Sequence, residues 1–291
     1  MKILVTIPHF FESRGNNAYG STSGDAGRRA TALGHCLSGL HQSLGPRQAF
    51  LLCLHPHIPG KGNGQLAKVN THAATRLDIA VCTSGDSHVL PRLPVTPGLF
   101  HHQPTSSAPM MLGFACHRIL KANLGKYDYY AYVEDDLLVH DAMFLAKIRW
   151  FAETFGDDCV LFPHRYESDP KQPVQRLYID GPVRPDFSAK WQDVNDRRTL
   201  EAGFPGSTWM FERWPNPHSG CFFLSAAQME RWAASPHFDD SDCSFAGPLE
   251  SAASLGIMKH FRIYKPSAAN AGFLEIQHLH NRYLGESLRL Q

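Results

Sequence analysis

Three adjacent acids, Glu134, Asp135 and Asp136, close an aromatic run that reads YDYYAYVEDD from Tyr127. Tyr129, Tyr130, Tyr132 and Val133 are the side chains of a buried strand. Three carboxylates at the end of such a strand repel one another and lose hydration unless a cation lies between them. Oxygen ligands suit a hard divalent ion such as Mg²⁺ or Mn²⁺. The competing interpretation is a solvated acidic turn, so the remaining polar residues carry the decision. A second apolar patch, Leu137 to Val139, follows, and then a helix expected over residues 141–155 with Asp141 as its N-cap.

Three more segments could supply chemistry. NPHSGCFFLS, from Asn216, is a glycine-containing turn (His218, Ser219, Gly220) that runs into an apolar strand and a helix. AGPLESAASLGI, from Ala246, opens a helix at Gly247 and Pro248 with Glu250 in its first turn. An acid there is favoured by the helix dipole alone, but it could also act as a general base. Asp239, Asp240 and Asp242 precede it as turn residues, acceptor ligands or the base itself, and the missing central glycine excludes an EF-hand loop. FLEIQHLHNRY, from Phe273, delivers His278 and His280, which a strand would hold on one side. A lone histidine is ordinarily a packing residue; a zinc pair is disfavoured because no third and fourth ligands lie nearby.

The elements around these segments alternate between strand and helix. Residues 2–8, 49–54, 77–82 and 160–162 read as short apolar strands, and 221–224 and 261–264 as later ones. Residues 24–44 carry Ala26, Ala30, Leu33, Leu37, Leu40 and Leu44 at helical spacing, stopped by Gly45 and Pro46. Residues 109–124 form a helix closed by Gly125. Alternation of this kind predicts an α/β fold with a mostly parallel central sheet flanked by helices. Ligands of such sheets bind beyond the carboxyl ends of the strands, where the acid triplet would lie. Residues 163–217, rich in Pro, Arg, Asp and Trp, read as a long irregular insertion, and residues 60–64 (GKGNG) as a surface turn.

Composition excludes more than it identifies. The 291 residues are 43% hydrophobic and 19% charged, an ordinary soluble pattern with a formal net charge of +1. That charge favours neither nucleic acid nor an anionic membrane as the main partner. No apolar run reaches spanning length, and the opening MKILVTIPHFF reads as a strand. Seven scattered cysteines without a CxxC pair are expected to be free thiols of a cytoplasmic protein.

The order of the four segments resembles the GT-A superfamily of nucleotide-sugar-dependent glycosyltransferases. In that family a DxD-type metal motif follows a central strand, a glycine loop borders the acceptor, a helix carries a carboxylate and a terminal histidine binds metal. Here Glu134-Asp135-Asp136 matches the first, Leu249-Glu250-Ser251 the third with one acid instead of two, and His278 or His280 the last. The resemblance implies a single GT-A (Rossmann-like) domain over residues 1–291, with a nucleotide-sugar half (1–140) and an acceptor half (141–291). It further implies Mn²⁺ or Mg²⁺ held by Asp136, Glu134 and one histidine, with Glu134 or Asp135 reaching the ribose of a UDP- or GDP-sugar. Thr6, Pro8 and Phe10, with Arg28 and Arg29 of SGDAGRR (residues 23–29), would line the nucleotide pocket. His218, Ser219, Gly220 and Trp209 would meet the acceptor, and Glu250, or else Asp240 or Asp242, would deprotonate it with inversion. Trp191 and Trp214 could also stack on a sugar, against the simpler role of core packing. A sugar nucleotidyltransferase is the first alternative, but it would need a basic glycine loop where this chain has PHFFES. A divalent-metal hydrolase and a carbohydrate-binding protein on an inactive transferase fold complete the alternatives.

Overall fold

A computed structural model describes residues 1–13, 20–22, 24–46, 49–53, 65–70, 75–96, 98–169, 171, 176–181, 183–184 and 186–287. In chain order the strands are β1 (Lys2–His9), β2 (Ala49–Cys53), β3 (Gln65–Val69), β4 (Arg76–Ser84), β5 (His101–Thr105), β6 (Tyr129–Val133), β7 (Leu137–Leu138), β8 (Cys159–Leu161), β9 (His164–Glu167), β10 (Leu177–Tyr178), β11 (Thr199–Phe204), β12 (Ser207–Glu212), β13 (Cys221–Ser225), β14 (Arg262–Pro266) and β15 (Glu275–His278). The longer helices are α1 (Ala26–Leu44), α2 (Leu112–Ala122), α3 (Phe144–Phe155) and α4 (Ala226–Ala233).

The main sheet has the order β13-β6-β1-β4-β5; β6, β1, β4 and β5 run parallel and β13 antiparallel to β6. Alternate residues of its inner strands face opposite ways. Ile3, Val5, Ile7, Ala131 and Val133 pack with Leu33, Leu37 and Phe151 of α1 and α3. Leu4, Tyr130, Tyr132, Phe222 and Leu224 pack with Leu120 of α2 and Trp232 of α4. A sheet covered on both faces needs the near-continuous apolar strands seen here. Asp25 caps α1 by accepting from the Arg28 amide at 2.9 Å. Gly39 lets α1 approach β7: a Cβ there would collide with the Leu138 side chain. Ser225 and Gln228 form a capping box on α4.

The chain is mixed α/β, and the expected mostly parallel sheet is only part of it. Two further four-stranded sheets, β10-β9-β15-β7 and β11-β12-β14-β8, mix parallel and antiparallel pairs. Four of their eight strands, β9 to β12, come from residues 163–217, which are therefore no irregular insertion, although residues 170, 172–175, 182 and 185 lie outside the described set. The alternation of exposed and half-buried residues in β11 is a strand pattern. The Pro205-Gly206 turn, with Gly206 at φ 91°, pairs it with β12.

Other boundaries also moved. Residues 49–53 are a strand but lie in no core: β2 pairs with β3 in a separate two-stranded ribbon. Leu54 and the turn at residues 60–64 lie outside the described residues. Met143, not Asp141, is the N-cap of α3, while Asp141 accepts from the Met143 amide and Lys147 Nζ, both at 2.7 Å. Asn123, not Gly125, caps the C-terminus of α2. The polar edge strand β5 had no apolar signal to announce it.

Candidate active site

The acid triplet lies at the seam between two sheets. It follows β6 of the main sheet, and β7, which comes next, pairs antiparallel with β15 of the second sheet, Leu137 opposite His278. The Leu279 amide donates to the Asp136 carbonyl at 2.9 Å. This pairing carries both histidines of a segment more than a hundred residues away to the acids. β9 runs parallel to β15 on its other side and brings Arg165 and Glu167 to the same place. A cavity of about 290 Å³ opens here, lined among others by Pro8, Phe10, Arg29, the three acids, Arg165, His218, Glu250, His278 and His280.

The three carboxylates diverge. Asp135 is 3% exposed and turned into the protein, where its Oδ2 meets His9 Nδ1 at 2.5 Å and its Oδ1 pairs with Arg29. The Val89 amide donates to His9 Nε2 at 3.2 Å, which leaves the His9 proton on Nδ1 for Asp135. Asp136 faces the C-terminal segment: its Oδ2 is 3.3 Å from His280 Nε2, 3.9 Å from His278 Nε2 and 3.3 Å from Arg29 Nη1. Glu134 packs against Gly220 and lies 3.6 Å from Arg165 Nη1. Gly220 has φ 64°, and a Cβ there would stand 2.5 Å from Glu134 Oε2, so only glycine fits.

Electrostatics separate the acids further. Burial opposes ionisation of Asp136, but His278, His280 and Arg29 outweigh it and hold the carboxyl well below its usual range. Burial also disfavours a charged His278; Asp136 and a hydrogen bond to Glu167 reverse this and raise its pKa. Glu134 goes the other way, pushed up to about 7 by burial against the partial relief of Arg165.

A buried frame supports these groups. Glu167 is fully buried; its Oε1 accepts from His278 Nδ1 at 2.9 Å and its Oε2 from the Leu284 amide at 2.7 Å. His278 is thereby fixed with Nε2 toward Asp136, the carboxylate–histidine arrangement that orients metal ligands. Asp180 takes Arg165 through two nitrogens, at 2.7 and 3.0 Å. Lys265, 0% exposed and lowered to about 8 by burial, donates to the His218 carbonyl at 2.6 Å. Glu250 also lines the cavity, in Pro248–Glu250, directly before a π-helical turn, Ser251–Leu255. Such turns insert an extra residue and re-aim neighbouring side chains.

The predicted residues divide accordingly. Pro8, Phe10, Arg29, Glu134, Asp135, Asp136, His218, Glu250, His278 and His280 all line the cavity. Arg29 is there as the partner of Asp135 and Asp136, while Arg28 is exposed and outside. Thr6 is buried and donates to the Ala131 carbonyl at 3.2 Å, so it cannot face a nucleotide. Ser219 is likewise buried, donating to the Pro163 carbonyl at 2.6 Å. Gly220 shapes Glu134 and is no acceptor contact. Trp209 packs on Phe273, Trp214 on His164 and Trp191 on Phe245, all away from the cavity. Asp240 and Asp242 both bind Lys259 at 2.7 Å and lie outside it too. Ser23 lies outside the described residues.

Arg165, Glu167, Tyr132, Met110 and Tyr283 were missed. Nothing in the sequence marks Arg165 or Glu167, because their importance comes from the β9–β15 pairing. Cys36, Cys82, Cys116, Cys159, Cys221 and Cys243 are free thiols, and among the described residues no helix is long and apolar enough to cross a membrane.

The donor set has the right types for a divalent ion: one carboxylate and two imidazoles converging on Asp136 Oδ2, one of them oriented from behind by Glu167. The set is not closed. Arg29 shares the same side of Asp136, and among the described residues no three His, Cys, Asp or Glu side chains form a ready-made metal cage. No known protein family is matched by the chain, and no curated protein matches it.

Proposed function

We propose that this chain is a metal-dependent glycosyltransferase of GT-A type, moving a sugar from a UDP- or GDP-sugar to an acceptor hydroxyl. The observation that carries this reading is the convergence of His278 and His280 on Asp136 in a cavity that Glu250 also lines. Asp136, His278 and His280 would hold Mn²⁺ or Mg²⁺. When bound, the ion supplies Lewis acidity that offsets the charge growing on the departing diphosphate.

The chain's own residues provide the rest. Pro8, Phe10, Pro109, Met110 and Leu112 are apolar lining residues suited to a base or sugar face. Arg29 and Arg165 bring two positive charges to the lining. Glu250 takes the proton from the acceptor hydroxyl, which gives inversion at the anomeric carbon. Glu134 offers a second reading for the base, since a carboxyl pushed up to about 7 exchanges protons at neutral pH.

A thermal-shift panel of nucleoside diphosphates tests the proposal. UDP or GDP should stabilise the protein only with Mn²⁺, by about 2.7 kcal/mol at a hundredfold excess over Kd. Stabilisation by free glycans without nucleotide would instead support a carbohydrate-binding protein. No response to any nucleoside diphosphate in Mn²⁺ overturns the transferase.

A further inference from the structure

His117 of α2 is a buried titratable group outside the cavity lining. It is 2% exposed and caged by the rings of Phe114, Tyr132, Phe222, Trp232 and Phe238, with centroids 4.9 to 6.1 Å away. Burial pushes its pKa down to about 4, so the ring is neutral at physiological pH. Its Nε2 lies 2.9 Å from the Ala252 carbonyl, which can only accept, so the single ring proton sits on Nε2. Nδ1 is then a bare acceptor, and it has no partner among the described residues. A phenylalanine would fill this cage without leaving a buried acceptor unpaired. Packing therefore does not account for the imidazole; its bond to Ala252 does.

Ala252 belongs to the π-helical turn that begins directly after Glu250. Residues two apart in a helical turn point to nearly opposite sides. With Ala252 buried against α2, Glu250 is turned to the cavity. Two residues of α2 set that rotation, and their spacing of four places them on one helix face. Gly113 leaves room for Ala252, since a Cβ on Gly113 would stand 2.4 Å from the Ala252 Cβ. His117 then holds the Ala252 carbonyl. The turn is tied at other points as well. Ser251 Oγ accepts from the Phe245 amide at 3.1 Å and donates to the Phe245 carbonyl at 2.9 Å, and Ser254 Oγ lies 3.2 Å from His218 Nδ1.

We propose that His117 is a positioning residue: through the Ala252 carbonyl it fixes the turn that aims Glu250 into the cavity. The inference rests on Glu250 as the base of the proposed transfer. A base displaced by about 1 Å loses on the order of a hundredfold in rate. The donor, held by other residues of the cavity, is bound as before.

Two measurements on His117→Phe and His117→Gln provide the test. Phenylalanine keeps a ring in the cage and removes the donor; glutamine puts an amide nitrogen where Nε2 stands. Amide hydrogen exchange at residues 251–255 should be about tenfold faster in the phenylalanine variant and near wild type in the glutamine variant. Turnover is read as nucleoside diphosphate released from UDP-glucose, UDP-galactose or GDP-mannose in Mn²⁺, with water as acceptor. The phenylalanine variant should lose about ten- to a hundredfold in kcat with donor KM within about twofold, and the glutamine variant should recover most of the loss. Unchanged exchange at residues 251–255 overturns the proposal, and so does full turnover in His117→Phe. A rise in donor KM as large as the fall in kcat also overturns it, because His117 would then only support the fold. If the wild type releases no nucleoside diphosphate from the three donors, the transferase reading fails and exchange alone decides whether His117 holds the turn.

Discussion

Glu134, Asp135 and Asp136 form one acidic cluster; Asp239, Asp240 and Asp242 form another of similar composition. The first ends a buried strand at the junction of two sheets, where each acid acquires its own set of distant partners: Arg165 for Glu134, His9 and Arg29 for Asp135, and His278 and His280 with the same Arg29 for Asp136. The second sits on an exposed turn. There Asp240 and Asp242 accept from nearby amides, at 3.1 and 2.9 Å, and share Lys259, while Asp239 is 58% exposed and 3.7 Å from Arg118. Local amides and one lysine thus partner Asp240 and Asp242. A strand-end cluster has no such local supply, so its partners must come from the tertiary fold. The difference is between carboxylates that build a turn and carboxylates that remain available to a ligand.

Mutations at the two clusters should separate them. Asp136→Asn should remove Mn²⁺-dependent nucleotide binding, at least about a hundredfold in affinity by calorimetry, because it removes the carboxylate that the Nε2 atoms of both histidines face. Unchanged binding would place the ion elsewhere. Glu250→Gln should lower turnover by about 10² to 10⁴ with donor affinity retained, measured as donor consumption. If Glu134→Gln has that effect and Glu250→Gln does not, the base is Glu134. Glu167→Gln should weaken Mn²⁺ binding by about ten- to a hundredfold in an electron paramagnetic resonance titration, by releasing the orientation of His278.

The stability of the first cluster should depend on pH from both sides. The lowered pKa of Asp136 contributes stability that is present above the unfolded value near 3.8 and lost as pH falls through the folded one. The raised pKa of His278 contributes stability that is full below 6.5 and lost as pH rises through its folded value. The melting difference between wild type and Asp136→Asn should therefore be largest at roughly pH 4 to 6.5 and shrink on either side. A difference independent of pH would mean that the carboxylate and ring are not coupled. The smallest effect belongs to the second cluster. Asp242→Asn should leave nucleotide binding unchanged and lower stability by less than about 1 kcal/mol in denaturant melts, as for an exposed ion pair.

How much of this was readable in advance depended on the range of the interactions involved. The buried run of β1, the helical spacing of α1 and the aromatic strand β6 each carry their signal within a few residues, and all three formed near the expected positions. His278 and His280 were marked by residue type and spacing. Thr6 and Ser219 were misjudged because a hydroxyl that serves the backbone looks, in sequence, like one that serves a ligand. Trp209 was misjudged because an indole suits a core as well as a sugar. β11 and β12 went unseen because their alternation is weak and their neighbours are rich in proline and charge.

By itself, the sequence determined that an apolar strand would end in three acids, that a helix would start at Pro248 with Glu250 in its first turn, and that two histidines would sit two apart near the C-terminus. Periodicity, capping and residue type are local properties, so they survive without a fold. The tertiary structure alone decided that Asp135 would turn inward, that Asp136 would meet both histidines and that Glu167 would stand behind one of them. Those outcomes rest on β15 pairing with β7 on one edge and β9 on the other, and strand partners distant in the chain leave no trace in the spacing of either segment.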